Sequence, residues 1–221
     1  NNVGSVPSSK VNIFDMATQT WSSADLTNHG GHVATIAAGD KIFFAGGAAA
    51  NGGSSGIASS RVDIYNTTAN TWTSTELSEA RSGISAVRAG NKVLFAGGGT
   101  SRKVDIYDLS LSSWGTTFNL SQVTSSDAIA LGNKAIFGVG TNAVEIYDAS
   151  SNSWSTKTFS QPQTQYSPAA LDNKIYLAGG YISTFGADYI FSDVVHIYDV
   201  ITNTWSNTTM SKPKALMTAV G

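Results

Sequence analysis

Residues 103–114 read KVDIYDLSLSSW, and the fold turns on how that stretch is read. Val104 and Ile106 stand two apart, so on an extended chain they share one face, while Asp105 and Tyr107 take the other. Residues 109–113 are mostly turn formers, and Trp114 opens a second strand. The stretch is therefore a β-hairpin. Four more copies flank it: VNIFD before Trp21, VDIYN before Trp72, VEIYD before Trp154 and VHIYD before Trp205. Val11, Val62, Val104, Val144 and Val195 each precede their tryptophan by ten residues, and the tryptophans are 51, 42, 40 and 51 residues apart.

Upstream of four of these hairpins lies another. Its copies read HVATIAAGDKIFFAGG, GISAVRAGNKVLFAGG, SDAIALGNKAIFGVG and SPAALDNKIYLAGG. Each joins a small-residue strand to an apolar one through Gly39-Asp40, Gly90-Asn91, Gly132-Asn133 or Asp172-Asn173, residues suited to tight hairpin turns. The apolar strand closes on Gly46-Gly47, Gly97-Gly98 or Gly179-Gly180, as expected where backbones crowd, with Val139 in place of the first glycine in the third copy. Each unit is thus four antiparallel strands, termed a to d from the inside outward. Repeats of about 40–50 residues with four strands read as propeller blades. A stacked solenoid of hairpins is the competing geometry, and the small residues of strand a favour crowding around an axis.

The apolar strand ending in Gly-Gly, the pairs Tyr107-Asp108, Tyr147-Asp148 and Tyr198-Asp199, and the tryptophan after the turn together resemble the kelch repeat over almost the whole chain. Phe14, Asn66 and Val139 depart from its pattern. The resemblance implies an all-β kelch-type propeller whose blades pack through those aromatics, and it implies little about function.

Four complete four-stranded blades are expected at about 30–73, 81–115, 125–155 and 165–206. A partial fifth is expected from both termini, with strands c and d from about 10–26, strand a from 215–221 and strand b missing. Residues 1–221 are read as a single kelch β-propeller domain, either five-bladed or a fragment of a six- or seven-bladed ring. The compensating end lengths lean towards five.

Of 221 residues, 41% are hydrophobic, enough for a core, and only 13% are charged. A net charge of −2 gives no footprint for nucleic acid. No apolar run is long enough for a membrane-spanning helix, so no membrane insertion is expected. The chain has no cysteine, which excludes disulfides and thiolate chemistry.

Propeller topology places the a–b and c–d turns on one face and the d–a and b–c connections on the other. Only the second set varies in length. Two b–c loops are long: 48–61 (AAANGGSSGIASSR) and 181–194 (YISTFGADYIFSDV). The first offers little to anchor a ligand. The second carries Tyr181, Phe185, Asp188, Tyr189 and Phe191, and aromatics on a loop either cap the ring or form a recognition surface. The rim at the start of strand a contributes His29, His32, Arg81, Asp127, Gln165, Tyr166 and Lys214. Kelch binders resemble one another in using this rim, with Arg81 and Lys214 in the arginine-like positions. The binding candidates are therefore Tyr181, Phe185, Asp188, Tyr189, Phe191, Arg81, His32, Tyr166 and Lys214.

Catalysis finds no constellation. Kelch-type copper oxidases use a cysteine–tyrosine crosslink that this chain cannot form. His29 and His32 lack further ligands, and Arg81, Asp127 and Lys214 are a thin version of a mutarotase-like cluster. No metal or other cofactor is expected. The fixed spacing of the tryptophans assigns them to the core between blades rather than to a sugar-stacking series.

Asn66, Asn119 and Asn207 head N-x-S/T sequons and are possible N-glycosylation sites. With the hydroxyl-rich, weakly charged surface, they point to a secreted or cell-surface glycoprotein, with a cytoplasmic setting as the alternative. The expected role is a noncatalytic module that recognises a protein or carbohydrate polymer through the b–c/d–a face. A carbohydrate-active enzyme and a self-associating architectural subunit are the alternatives.

Overall fold

The computed structural model describes residues 9–27, 31–48, 57–140, 142–161, 163–182 and 190–215. They are all β, and no helix is long and apolar enough to cross a membrane. The chain divides into two compact units, Asn1–Ile84 and Ser85–Gly221.

The first unit opens with β1 (Lys10–Asp15) and β2 (Thr20–Asp25), a two-stranded sheet. It continues with β3 (Ala34–Ala38), β4 (Lys41–Ala45), β5 (Ser59–Asn66) and β6 (Thr71–Arg81), a four-stranded antiparallel sheet in chain order. Sequence spacing places Arg81 at the start of the next blade. In the structure β6 instead runs eleven residues, past a bulge opposite Ser59 and Arg61, and Arg81 is its last residue.

The second unit holds three such sheets. The first is β7 (Ser85–Ala89), β8 (Lys92–Ala96), β9 (Lys103–Asp108) and β10 (Ser113–Trp114), with β11 (Phe118–Asn119) rejoining β9 beyond a break. The next is β12 (Thr124–Leu131), β13 (Lys134–Val139), β14 (Ala143–Asp148) and β15 (Ser153–Thr158). The last is β16 (Ser167–Leu171), β17 (Lys174–Ala178), β20 (Val194–Asp199) and β21 (Thr204–Thr209). A two-stranded ribbon, β18 (Tyr181–Ile182) and β19 (Ile190–Phe191), stands between β17 and β20. The four complete sheets are the expected blades. β1 and β2 are the hairpin expected at about 10–26; of residues 215–221, read as an inner strand, all but Ala215 lie outside the described residues.

The repeated hairpin forms as read, and its register shows why the motif is fixed. Phe14 faces Trp21, Tyr65 faces Trp72, Tyr107 faces Trp114, Tyr147 faces Trp154 and Tyr198 faces Trp205. The turn between them is set locally. Asp15, Asp108, Asp148 and Asp199 each turn Oδ1 back onto backbone N–H groups two or three residues on, and Asn66 makes the same cap. That equivalence explains why asparagine can stand there. The last turn residue, Gln19, Asn70, Ser112, Asn152 or Asn203, takes a positive φ of 51–56° in all five hairpins.

Within the second unit the Val-x-Ile face of each blade packs on the Tyr–Trp face of the next. Val104, Ile106, Leu94 and Ala96 meet Tyr147, Phe137 and Ala135, with Trp154 half-buried against them. Val144, Ile146 and Ile136 meet Tyr198, Ile175 and Leu177 in the same way, with Trp205 alongside. An aromatic leaving the outer strand completes each seam: Phe118 lies parallel to Trp154 at 4.1 Å, and Phe159 meets Trp205 edge-on at 5.4 Å.

The glycine pairs mark close backbone approaches. A Cβ on Gly46 would come 2.5 Å from Arg81 O, and one on Gly180 would strike Thr164 O.

Candidate functional site

Four of the binding candidates gather at the loop end of the last blade. Thr164 and Tyr181 exchange backbone hydrogen bonds of 3.1 and 3.0 Å, which ties the connection before β16 to the base of the ribbon. Gly180 N–H donates to Lys214 O at 2.9 Å, Lys214 N–H to Ser192 O at 3.1 Å, and Ser192 N–H to Gly180 O at 2.9 Å. Beneath them buried Gln163 donates its amide to Gly179 O and Val194 O. The ribbon carrying Tyr181 and Phe191 is thus rooted in a fully hydrogen-bonded platform.

The side chains on this platform differ in role. Ile190 and Phe191, neighbouring large apolar groups on the ribbon, are each 51% exposed. Tyr181 is half-buried and Lys214 exposed. Tyr166 is buried and packs within the second core cluster, so it supports the platform from below. Phe185, Asp188 and Tyr189 lie outside the described residues.

Arg81 and His32 belong to the first unit. Arg81 is 2% exposed, with its carbonyl accepting Gly47 N–H at 2.9 Å and its Nε 4.0 Å from Glu79 Oε1. Its structural surroundings are those of a buried strand end. His32 is exposed, has a φ of 53° and accepts Gly83 N–H at 3.4 Å through its carbonyl. His29 lies outside the described residues, as does the side chain of Asp127.

A device unseen in the sequence reading is the acid that follows the repeat valine in two of the blades. Asp63 Oδ2 accepts Thr27 N–H at 2.6 Å, and Glu145 Oε1 accepts Ser121 N–H at 3.0 Å. Both carboxylates are buried, and each clasps the segment that leaves the preceding hairpin. The signal was present in the spacing, since Thr27 and Ser121 sit six and seven residues after their tryptophans.

In the last blade His196 occupies this position. It stacks on Phe159 at 3.8 Å, and its Nδ1 lies 2.8 Å from Asn207 Oδ1. Burial pushes its pKa below the ordinary histidine value, against the opposing pull of the Asn207 hydrogen bond. A cleft of about 290 Å3 opens beside it, lined only by uncharged groups that include Ser160, Gln161, Ser192, Asn207 and Thr209.

The strongest carboxylate shift sits in a turn. Lys134 Nζ donates to Asp148 Oδ2 at 2.7 Å and holds that carboxyl at about 2. Lys92 holds Asp108 low in the same way. These pairs join strand b to the end of strand c, so they staple blades. Among the described residues no group of three or more His, Asp or Glu is arranged to hold a metal.

The three sequon asparagines are placed differently. Asn66 has both ends of its amide engaged, Oδ1 by the turn and Nδ2 by Asp40 Oδ2 at 2.7 Å. Asn119 on β11 and Asn207 on β21 are exposed on outer strands.

Residues 164–209, the last blade with its ribbon, match the Kelch motif. No curated protein matches the chain. The matched segment has the strand order, the Tyr198–Trp205 pair and the glycine-closed strand that recur in the three other complete blades.

Proposed function

We propose that the chain is a noncatalytic binding module that holds a protein partner on the loop face of its last blade. Kelch repeats generally mediate protein interactions, which supports this class of role. The observation that carries it is the ribbon: Ile190 and Phe191 stand half-exposed on a platform whose backbone groups are hydrogen-bonded to one another. A rigid root presenting apolar groups binds with little ordering cost, and lone exposed aromatics of this kind act as anchors. Tyr181 and Lys214 form the rim of the same surface.

Replacing Ile190 and Phe191 together by serine is expected to weaken partner capture at least tenfold with no loss of melting temperature. Co-precipitation quantified beside a thermal melt measures both. Retained capture by the folded variant would move the site elsewhere. If a polysaccharide rather than a protein is retained by the ribbon, the partner class is wrong.

The secreted or cell-surface setting belongs to the same proposal. Asn119 and Asn207 are the sequons with exposed side chains, whereas glycosylation at Asn66 would break its hydrogen bond to Asp40. Glycopeptide mapping of the secreted chain should find sugar at the first two and none at Asn66.

A further inference from the structure

Strand d of one blade is a residue longer than its counterparts. In four hairpins the residue opposite the repeat valine follows the tryptophan by three positions, as Ala24, Thr75, Lys157 and Thr208. In the hairpin of β9 it follows by four and is Phe118, opposite Val104. Gly115, Thr116 and Thr117 therefore stand against Asp105 and Ile106 alone. Gly115 N–H still reaches Ile106 O at 2.7 Å, and regular pairing then lapses until Phe118. An extra residue in one strand disrupts the ladder locally and re-aims the side chains around it. Here it sets Phe118 on Trp154 at 4.1 Å.

A pocket of about 380 Å3 opens at this break, within the size range of small-ligand sites. Trp114, Phe118 and Trp154 give its walls aromatic surface, and Lys92, Asn152 and Thr116 give them polar groups. Most of the polar groups have donors to spare. Lys92 Nζ donates one of its three N–H groups to Asp108 Oδ2. Asn152 Oδ1 accepts the Tyr147 hydroxyl at 2.8 Å, and its Nδ2 has no acceptor among the described residues. The pocket carries no surplus charge. The Lys92 cation meets the Asp108 carboxylate, whose Oδ1 is held by the N–H groups of Ser110 and Leu111.

We propose that this pocket binds a neutral saccharide unit. A sugar ring presents C–H groups that suit aromatic walls, and hydroxyls that accept from ammonium, amide and hydroxyl donors. A purely apolar ligand would leave those donors unpaired, which opposes its binding. An anion would find the lysine already neutralised by Asp108. The fixed spacing of the tryptophans argues against a sugar-stacking series around the repeats. This pocket is instead a single site, made by the one copy whose outer strand carries an extra residue. It lies at the c–d turn end of its blades and the ribbon at the b–c end of the last blade, so neither proposal depends on the other.

The test titrates glucose, galactose, mannose and N-acetylglucosamine into the isotope-labelled full chain and reads the indole N–H signals by NMR. At least one sugar is expected to shift the Trp114 and Trp154 signals saturably, while that of Trp21, which is 70% exposed, stays in place. Deleting Thr116 restores the spacing of the other four copies, so the chain should fold with the pocket closed and bind at least ~10-fold more weakly. Asn152→Gly keeps the positive φ of 52° and removes the amide, and it should weaken binding several-fold. No saturable shift with any of the four sugars up to about 50 mM, or an equal shift of Trp21, would overturn the proposal. So would undiminished binding by Asn152→Gly or by the folded Thr116 deletion, or cyclohexanol moving the same signals as tightly as the sugars.

Discussion

The repeat tryptophans share one sequence position and have different surroundings. Trp154 is covered by Phe118 and touches Phe137 and Tyr147, whereas Trp21 is 70% exposed and contacts Phe14. Trp154→Ala is expected to cost about 3 kcal/mol and Trp21→Ala under about 0.5 kcal/mol by urea unfolding. Equal losses would refute the packing difference. Acid sensitivity also resides in single residues. Asp148 has a folded pKa of about 2, below its unfolded value near 3.9, so its stabilisation is present above pH ~4 and is lost as pH falls towards 2. With allowance for its remaining solvent access, the contribution at neutral pH is about 1–2 kcal/mol. His196 is also lowered, so the unfolded chain takes up its proton first and stability falls as pH drops below ~6.5. Stability measured against pH should therefore show two declines. His196→Gln should remove the upper one, and Asp148→Asn should shrink the lower, to which Asp108 also contributes.

At the scale of elements, the hairpins are local objects and the seams are not. The c–d hairpin was legible because valine, isoleucine, the Tyr–Trp pair and the Asx-capped turn all lie within a dozen residues. The end of β6 was not, because eleven residues of strand and a bulge depend on pairing with Ser59 rather than on periodicity. The break between β10 and β11 was equally hidden. Gly115 N–H bonds Ile106 O at 2.7 Å, and the strand resumes at Phe118 to place that ring on Trp154. The strand-closing glycines were read correctly as points of crowding. Gly180→Ala should cost about 2 kcal/mol or more, since φ is +93° and the new Cβ would strike Thr164 O. A chemical denaturation midpoint checks this, and an unchanged midpoint would show that the platform under the ribbon can yield.

At the scale of the whole molecule, burial in the second unit is deepest in the two middle strands of each sheet and least in the outer strands. Val93, Leu94, Phe95 and Ala96 of β8 and Ala135 and Phe137 of β13 are fully buried, whereas β15 and β21 are largely exposed. Hydrogen exchange should accordingly be slowest in β8, β9, β13 and β14 and fastest in the outer strands. Uniform protection across all four strand classes would contradict this gradient. The candidate site was legible only in outline. Aromatics on a long loop marked Tyr181 and Phe191, but burial removed Tyr166 and Arg81 from the exposed surface, and no periodicity encodes that.

The sequence by itself determined the blade: four strands, their order, the turns and the face each side chain takes, because all of these follow from alternation and local capping within about forty residues. Only the tertiary structure decided which repeat positions are covered. Trp21 and Trp154, Asp15 and Asp148, and β1 and β14 are equivalent in sequence, and they differ in what packs against them. Coverage depends on neighbouring strands distant in the chain. The tryptophan hairpin therefore specifies the same strand pair at every repeat, and its surroundings decide how far each copy is buried.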